Sequence, residues 1–85
     1  MGADSMISDR FDWATTSPCS AVVRLSSVAR DCEPTALSPL GETVDTEALD
    51  ALLESAETEV SIQFRYAGLL VRLRSDGLVT VQQRD

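Results

Sequence analysis

The side chains best suited to chemistry in this sequence are arginines near its C-terminal end. Residues 60–84 carry Arg65, Arg72, Arg74 and Arg84 but only one acid, Asp76. A guanidinium group presents a rigid fork of N–H donors that matches a carboxylate or phosphate with two hydrogen bonds. The chemistry offered by these residues is therefore recognition of an anion.

The segment that must position these arginines alternates apolar and polar residues after residue 59. A period of two predicts β-strands whose side chains point to opposite faces of a sheet. The apolar members are Val60, Ile62, Phe64, Tyr66, Leu69, Val71, Leu73, Val79 and Val81. The opposite face then carries the candidate interaction surface, which consists of Arg65, Arg72, Arg74, Arg84, Gln63 and Thr80.

The same alternation selects the turns, because residues opposite each other on neighbouring strands must share a face. A two-residue Ala67-Gly68 loop pairs Tyr66 with Leu69, so apolar residues meet. A two-residue loop before residue 78 would place apolar residues opposite polar ones. We therefore predict a three-residue loop over residues 75–77, which pairs apolar residues across both turns.

Two helices are predicted upstream of the strands. Ser17-Pro18 combines a hydroxyl N-cap with proline at the first helical position, and Glu33-Pro34 ends that helix because the residue before a proline avoids the α-helical region. Asp45 is a second N-cap, and the helix that follows it is expected to reach about residue 56.

These elements predict an α+β fold of order α-α-β-β-β, with two helices packed on one face of a three-stranded antiparallel meander. The strand at residues 69–74 lies in the centre. Residues 17–85 form the single domain, and residues 1–16 are expected to be a flexible acidic N-terminal arm, in which the alternation Phe11-Asp12-Trp13 leaves open a short strand or a docked segment. In this arrangement the strand at residues 78–83 is an edge with free backbone groups.

The charge balance restricts the partners. Fourteen acids face seven bases, all of them Arg, and the chain contains no Lys, His or Asn, for a net charge of −7. Such a charge repels nucleic acid and anionic lipid. An acid excess without Lys is typical of proteins that work in concentrated salt, where self-repulsion is screened. With no long apolar segment and no apolar signal region, we expect a cytoplasmic protein without membrane attachment.

The sequence contains few of the residues that catalysis or cofactor binding would need. Without His the usual general base is missing, and without Lys no Schiff base can form. Two thiols, Cys19 and Cys32, match no zinc-ligand spacing. If both lie on the first helix they are about 20 Å apart, too far for a disulfide. We therefore expect no enzyme activity, no cofactor and no metal.

The ordered residues resemble the halobacterial output domain, type one, over roughly residues 11–82. The resemblance is carried by Trp13, Thr16-Ser17-Pro18, residues 22–29, Glu33-Pro34, Leu37-Ser38-Pro39-Leu40, Val44-Asp45, Ala48-Leu49-Asp50-Ala51-Leu52, Phe64, Tyr66, Gly68, Val71, Ser75-Asp76-Gly77 and Val79. The sequence departs from that pattern at Gly41, where an aromatic residue is usual, and at Cys32, where Gly usually ends the helix.

The resemblance implies a signalling-output module of halophilic archaea and brings no reaction, cofactor or defined site with it. The expected function is a non-catalytic protein-interaction module. Its partner would be an acidic protein surface, or a second copy joined through the edge strand 78–83. The alternative is a regulatory protein that contacts nucleic acid through the arginine-bearing sheet face, although the net charge of −7 argues against it.

Overall fold

A computed structural model of the protein describes residues 5–83. This part of the chain contains two α-helices, two short 3-10 helices and four strands. In chain order they are β1 (Ser5–Arg10), α1 (Pro18–Arg30), the 3-10 helices Pro34–Ala36 and Leu40–Glu42, α2 (Thr46–Glu54), β2 (Ser61–Tyr66), β3 (Leu69–Arg74) and β4 (Leu78–Gln83).

The strands form one antiparallel sheet in the order β1-β4-β3-β2. Both predicted turns are confirmed, since Tyr66 pairs with Leu69 and Leu73 pairs with Val79. Ala67 and Gly68 both have positive φ, 56° and 77°, as a two-residue hairpin of type I′ requires. Gly77, which ends the three-residue turn, has φ of 100°.

The structure corrects the predicted number of strands from three to four. Residues 5–10, which the sequence analysis assigned to an N-terminal arm, pair antiparallel with β4, with Ile7 opposite Val81. The strand at residues 78–83 is consequently interior, and the edges are β1 and β2. The sequence of β1 gave no basis for predicting a strand. This strand is attached by backbone hydrogen bonds, which any sequence can make. Residues 1–4 lie outside the described residues.

The segment after β1 is fixed to the β3–β4 turn. The N–H of Phe11 donates to the carbonyl of Gly77 at 2.8 Å, and Trp13 Nε1 donates to the Arg74 carbonyl at 3.1 Å. The two rings stack with centroids 6.2 Å apart. A Cβ atom at Gly77 would lie 2.1 Å from the Phe11 carbonyl oxygen, so the close approach requires glycine.

Both predicted helix caps are present. The Ser17 hydroxyl accepts from Ser20 N at 3.2 Å, and the Asp45 carboxylate accepts from Ala48 N at 3.2 Å. Each satisfies a backbone donor that has no partner inside its helix.

The core lies between the sheet and α1. The helix α1 contacts β1, β3 and β4, whereas α2 packs mainly against α1, so α1 provides most of the helical contact with the sheet. The buried apolar residues are Ala21, Val22, Leu25, Leu40, Leu49, Leu53, Tyr66, Leu69, Val71, Leu73, Val79 and Val81. All helical elements therefore lie on one side, and the other side of the sheet remains uncovered.

Candidate interaction surface

The uncovered side of the sheet, hereafter the open face, is formed by the side chains that point away from α1. The strand register assigns three positions to it from each strand. These positions are Met6, Ser8, Arg10, Ser61, Gln63, Arg65, Leu70, Arg72, Arg74, Leu78, Thr80 and Gln82. Four of the twelve are Arg and none is an acid.

The centre of the open face is a polar row that crosses all four strands. Ser8 lies opposite Thr80, Thr80 opposite Arg72, and Arg72 opposite Gln63. The Gln63 side-chain oxygen accepts from Arg72 Nε at 3.2 Å and from Nη2 at 2.7 Å. This contact orients the guanidinium and leaves about three of its five N–H donors for a partner.

A second row contains the other arginine without an acidic partner. Arg65 lies opposite Leu70, which lies opposite Gln82, and Met6 completes the row. Met6 is 66% exposed, the highest value among the large apolar side chains of the described residues. Within residues 5–83, neither Arg65 nor Arg72 forms an ion pair. The row therefore has a cation without an acidic partner at the β2 edge and exposed apolar surface at the β1 edge.

The third group of cations is neutralised in part at the β3–β4 turn. Asp76 Oδ2 lies 2.7 Å from Arg74 Nη2 and 3.3 Å from Arg10 Nη1. The pKa of Asp76 is lowered, first by the hydrogen bond from Leu78 N and then by the two guanidinium groups. Asp76 thus fixes one end of the open face, and the free positive charge lies on β2 and β3.

Five of the six residues predicted for the surface lie on the open face. The structure places Arg65, Arg72, Arg74, Gln63 and Thr80 together on the open face. Arg84 lies outside the described residues. The predicted surface did not include β1, which adds the exposed Met6 and Arg10, the fourth arginine of the open face among the described residues. Residues 6–10 read Met-Ile-Ser-Asp-Arg, without an alternation of apolar and polar residues that would indicate a strand.

The helical side of the molecule contrasts in charge. Residues 11–59, which contain all the described helical elements, hold ten acids and two arginines. In residues 5–83 the sole acid at the open face is Asp76, at its end. The domain therefore has an acidic helical side and a basic sheet face.

A shallow hollow on the helical side is another candidate site. Its volume is about 400 Å³ and it is lined by Cys19, Ser20, Val23, Arg24 and Pro34. Burial, followed by the neighbouring carboxylates Asp50 and Glu54, raises the pKa of the Cys19 thiol to about 12. Such a thiol stays protonated at neutral pH and is a poor nucleophile or metal ligand.

The described residues contain neither a cluster of metal ligands nor a membrane-spanning helix. Across residues 5–83, no three His, Cys, Asp or Glu side chains are grouped closely enough to hold a metal ion. In the same part of the chain, no helix has the length and apolar character needed to cross a bilayer.

Comparison with known proteins places the fold in a family. The model of halobacterial output domain 1 matches residues 14–83. The chain belongs to the halobacterial output domain 1 family. No curated protein and no solved structure gives a significant match. In this output domain the matched segment begins after β1, so the strand that adds Met6 and Arg10 to the open face precedes it.

Proposed function

We propose that this output domain is a non-catalytic protein-interaction module of a halophilic archaeon, which binds an acidic segment of a partner protein on its open face. The observation that carries the proposal is the composition of that face. No acid occupies its twelve strand positions, four of which are Arg, in a chain with twice as many acids as bases. An output domain acts on something downstream, and this face is the large uncovered surface available for that contact.

The geometry of the face favours carboxylates on a folded or extended protein segment. Arg72 is held by Gln63 with donors to spare, and Arg65 has no acidic partner among residues 5–83. A guanidinium can bind a carboxylate through two parallel hydrogen bonds. Leu70 offers apolar contact beside Arg65, and Met6 offers it at the opposite edge of the same row. A partner that combines acids with apolar side chains would match both features.

Concentrated salt strengthens the case for arginine at such a contact. At about 1 M salt the Debye length falls to about 3 Å, so long-range attraction is lost. Recognition must then depend on direct hydrogen bonds and apolar contact. Arg supplies both, because its guanidinium is weakly hydrated and forms bidentate bonds.

Nucleic acid is the weaker candidate for this face. Single-stranded nucleic acid binding uses aromatic side chains on which bases stack. The open face has no aromatic residue at its twelve strand positions, since Phe64 and Tyr66 point to the inner face. At low salt the net charge of −7 also opposes approach to a phosphate backbone, whereas molar salt screens this repulsion.

The absence of catalysis is part of the proposal. The sequence has no His and no Lys, which removes the common general base and the Schiff-base nucleophile. The thiol of Cys19, with its pKa raised to about 12, is protonated at working pH.

The proposal is tested by reversing charge on the open face. Arg65→Glu/Arg72→Glu changes the net charge by the same amount as Arg24→Glu/Arg30→Glu, which alters exposed arginines on α1. Wild type and both variants are used to capture proteins from nuclease-treated host lysate in molar KCl. We expect the first variant to lose specific partners by about tenfold or more, since hydrogen bonds to charged groups contribute roughly 1.5–3 kcal/mol. The α1 variant should retain them.

Equal capture by the three proteins would refute the role of the open face. Direct titration with single-stranded DNA and RNA in the same salt gives the second outcome. Nucleic acid binding that is lost in Arg65→Glu/Arg72→Glu and kept in Arg24→Glu/Arg30→Glu would replace the protein partner with a nucleic acid.

A further inference from the structure

The free edge of β2 is a second surface, distinct from the open face. Within residues 5–83, β2 pairs only with β3. The carbonyl of Val60, just before the strand, accepts from Ser75 N at 2.8 Å on the β3 side. Backbone groups alternate in direction along an antiparallel strand. Those of Ile62, Phe64 and Tyr66 therefore face β3, and those of Ser61, Gln63 and Arg65 face the open edge.

The side chains of β2 leave the inward side of this edge unguarded. Natural proteins block exposed edges with charged side chains, proline, bulges or charges that point inward, and of these β2 has one, Arg65, which lies on the open face. In β2 the inward positions at the edge are Ile62 and Phe64, both half-buried and packed against the core cluster. The strand has no proline and pairs with β3 in an unbroken register. Apolar surface and unpaired backbone groups thus meet along one line.

The opposite edge of the same sheet is guarded. Asp9 of β1 lies opposite Val79, on the inward side, where its charge opposes the approach of another strand. Its carboxylate also accepts from the N–H of Arg10 at 2.8 Å. The N–H of Phe11 points toward β4, since it donates to the Gly77 carbonyl. Because backbone groups alternate in direction along a strand, the N–H of Arg10 points away from β4. Asp9 therefore occupies a donor that a further strand would need.

The sequence of β2 is compatible with its own copy in antiparallel pairing. With Gln63 opposite Gln63, Ile62 lies opposite Phe64 on the inner face and Ser61 lies opposite Arg65 on the outer face. This register uses the edge-facing groups of all three outward residues, about six hydrogen bonds. It places apolar residues together and brings no like charges opposite each other. A shift that centres the pair on Arg65 would oppose two arginines.

We infer that β2 pairs with β2 of a second copy of this chain, with Gln63 at the two-fold axis. The result is a symmetric dimer with one continuous eight-stranded sheet, a closed assembly of the commonest kind. The axis is perpendicular to the sheet, so both open faces lie on the same side and their arginines form one surface. The inference uses the edge and the inner face of β2, and it stands independently of the function proposed for the open face.

The test is the mass of the protein in solution, measured by light scattering in molar KCl across a range of concentrations. Wild type is expected to approach twice the mass of one chain as concentration rises. Gln63→Pro removes the edge-facing N–H, and proline is tolerated on an edge strand where the N–H faces solvent. It should remain monomeric at concentrations where wild type is dimeric. Gln63→Ala keeps the N–H, loses the side chain, and should still dimerise.

Hydrogen exchange on the wild type provides a readout that does not depend on any variant folding. The amides of Ser61, Gln63 and Arg65 should become at least tenfold more protected at high concentration than at low concentration. The outward amides of Met6 and Ser8 on the guarded edge should not change. A monomer at all concentrations, a dimer that Gln63→Pro leaves intact, or a dimer without protection of the β2 edge would each overturn the inference.

Discussion

The strands at the two edges of the sheet reach their places by different routes. β2 continues into β3 through Ala67 and Gly68, a local turn that sets its register. β1 pairs with β4, which lies near the other end of the sequence, and its position depends on the contact between Phe11 and Gly77. One edge is local and unguarded, and the other is distant and guarded by Asp9.

The two edge strands require different features of the sequence. The β2 hairpin needs two residues with positive φ and a strict alternation of side chains. The β1 attachment needs a close approach of two backbones, which a single glycine permits. Local pairing is thus encoded in a continuous segment, whereas the distant pairing depends on one position in a remote turn.

The largest expected effect comes from comparing two glycines in the turns. Gly77→Ala should lower the free energy of unfolding by about 3 kcal/mol or more, because the new Cβ would meet the Phe11 carbonyl oxygen in addition to straining the backbone. Gly68→Ala should cost roughly 1–2 kcal/mol, since its φ is also positive but the nearest atom is 3.7 Å away. Urea denaturation at fixed KCl measures both.

Equal losses in the two glycine variants would contradict the idea that the β1 side depends on a close approach. Amide exchange adds detail, since Gly77→Ala should expose the amides of Ile7 and Asp9 while leaving the β2–β3 hairpin protected.

A single substitution of Asp9 removes the charge that opposes strand pairing at the β1 edge. Asp9→Val should leave the free energy of unfolding within about 0.5 kcal/mol, since Asp9 is exposed, but should cause new self-association through β1. Light scattering across concentration detects it. Ser8→Val is the matched control, because it adds the same side chain on the open face and keeps the carboxylate. Association of both variants to the same extent would show that general apolarity, not the lost guard, is responsible.

The smallest effect concerns the ion pairs that join β1 to the β3–β4 turn. The pKa of Asp76 is lowered, so its carboxylate stabilises the fold above its ordinary value of 3.8, and this contribution is lost as pH falls below that range. The urea midpoint of wild type should decrease toward acid pH more than that of Asp76→Asn. The difference should be smaller than the effect of Gly68→Ala, because the pairs are exposed. Parallel pH profiles would rule out a contribution from this carboxylate.

The sequence predicted the parts of the fold that depend on neighbouring residues. The alternation over residues 60–82 located three strands and selected both turns, and Ser17 and Asp45 marked the beginnings of the helices. Each of these features follows from a local rule of side-chain period or capping. The family resemblance carried by the same residues was also right.

The fourth strand and the position of α2 could not be predicted in the same way. In β1 the apolar residue that packs against the core is Ile7, and the strand has no period of two, so its sequence does not distinguish a strand from an arm. For α2 the apolar stripe predicts burial but not the surface that provides it, and here that surface is mainly α1. The open face was therefore predicted from three strands and lacked the contribution of Arg10 and Met6.

The distant attachment of β1 also has a consequence for the order of folding. The β2–β3–β4 meander closes through short turns, whereas β1 can join only after β4 is in place, and closing so long a loop loses more chain entropy before contacts compensate. We expect β1 to be the last strand to form and the first to open, at less free energy than global unfolding. Its departure leaves a three-stranded intermediate that corresponds to the family segment, residues 14–83.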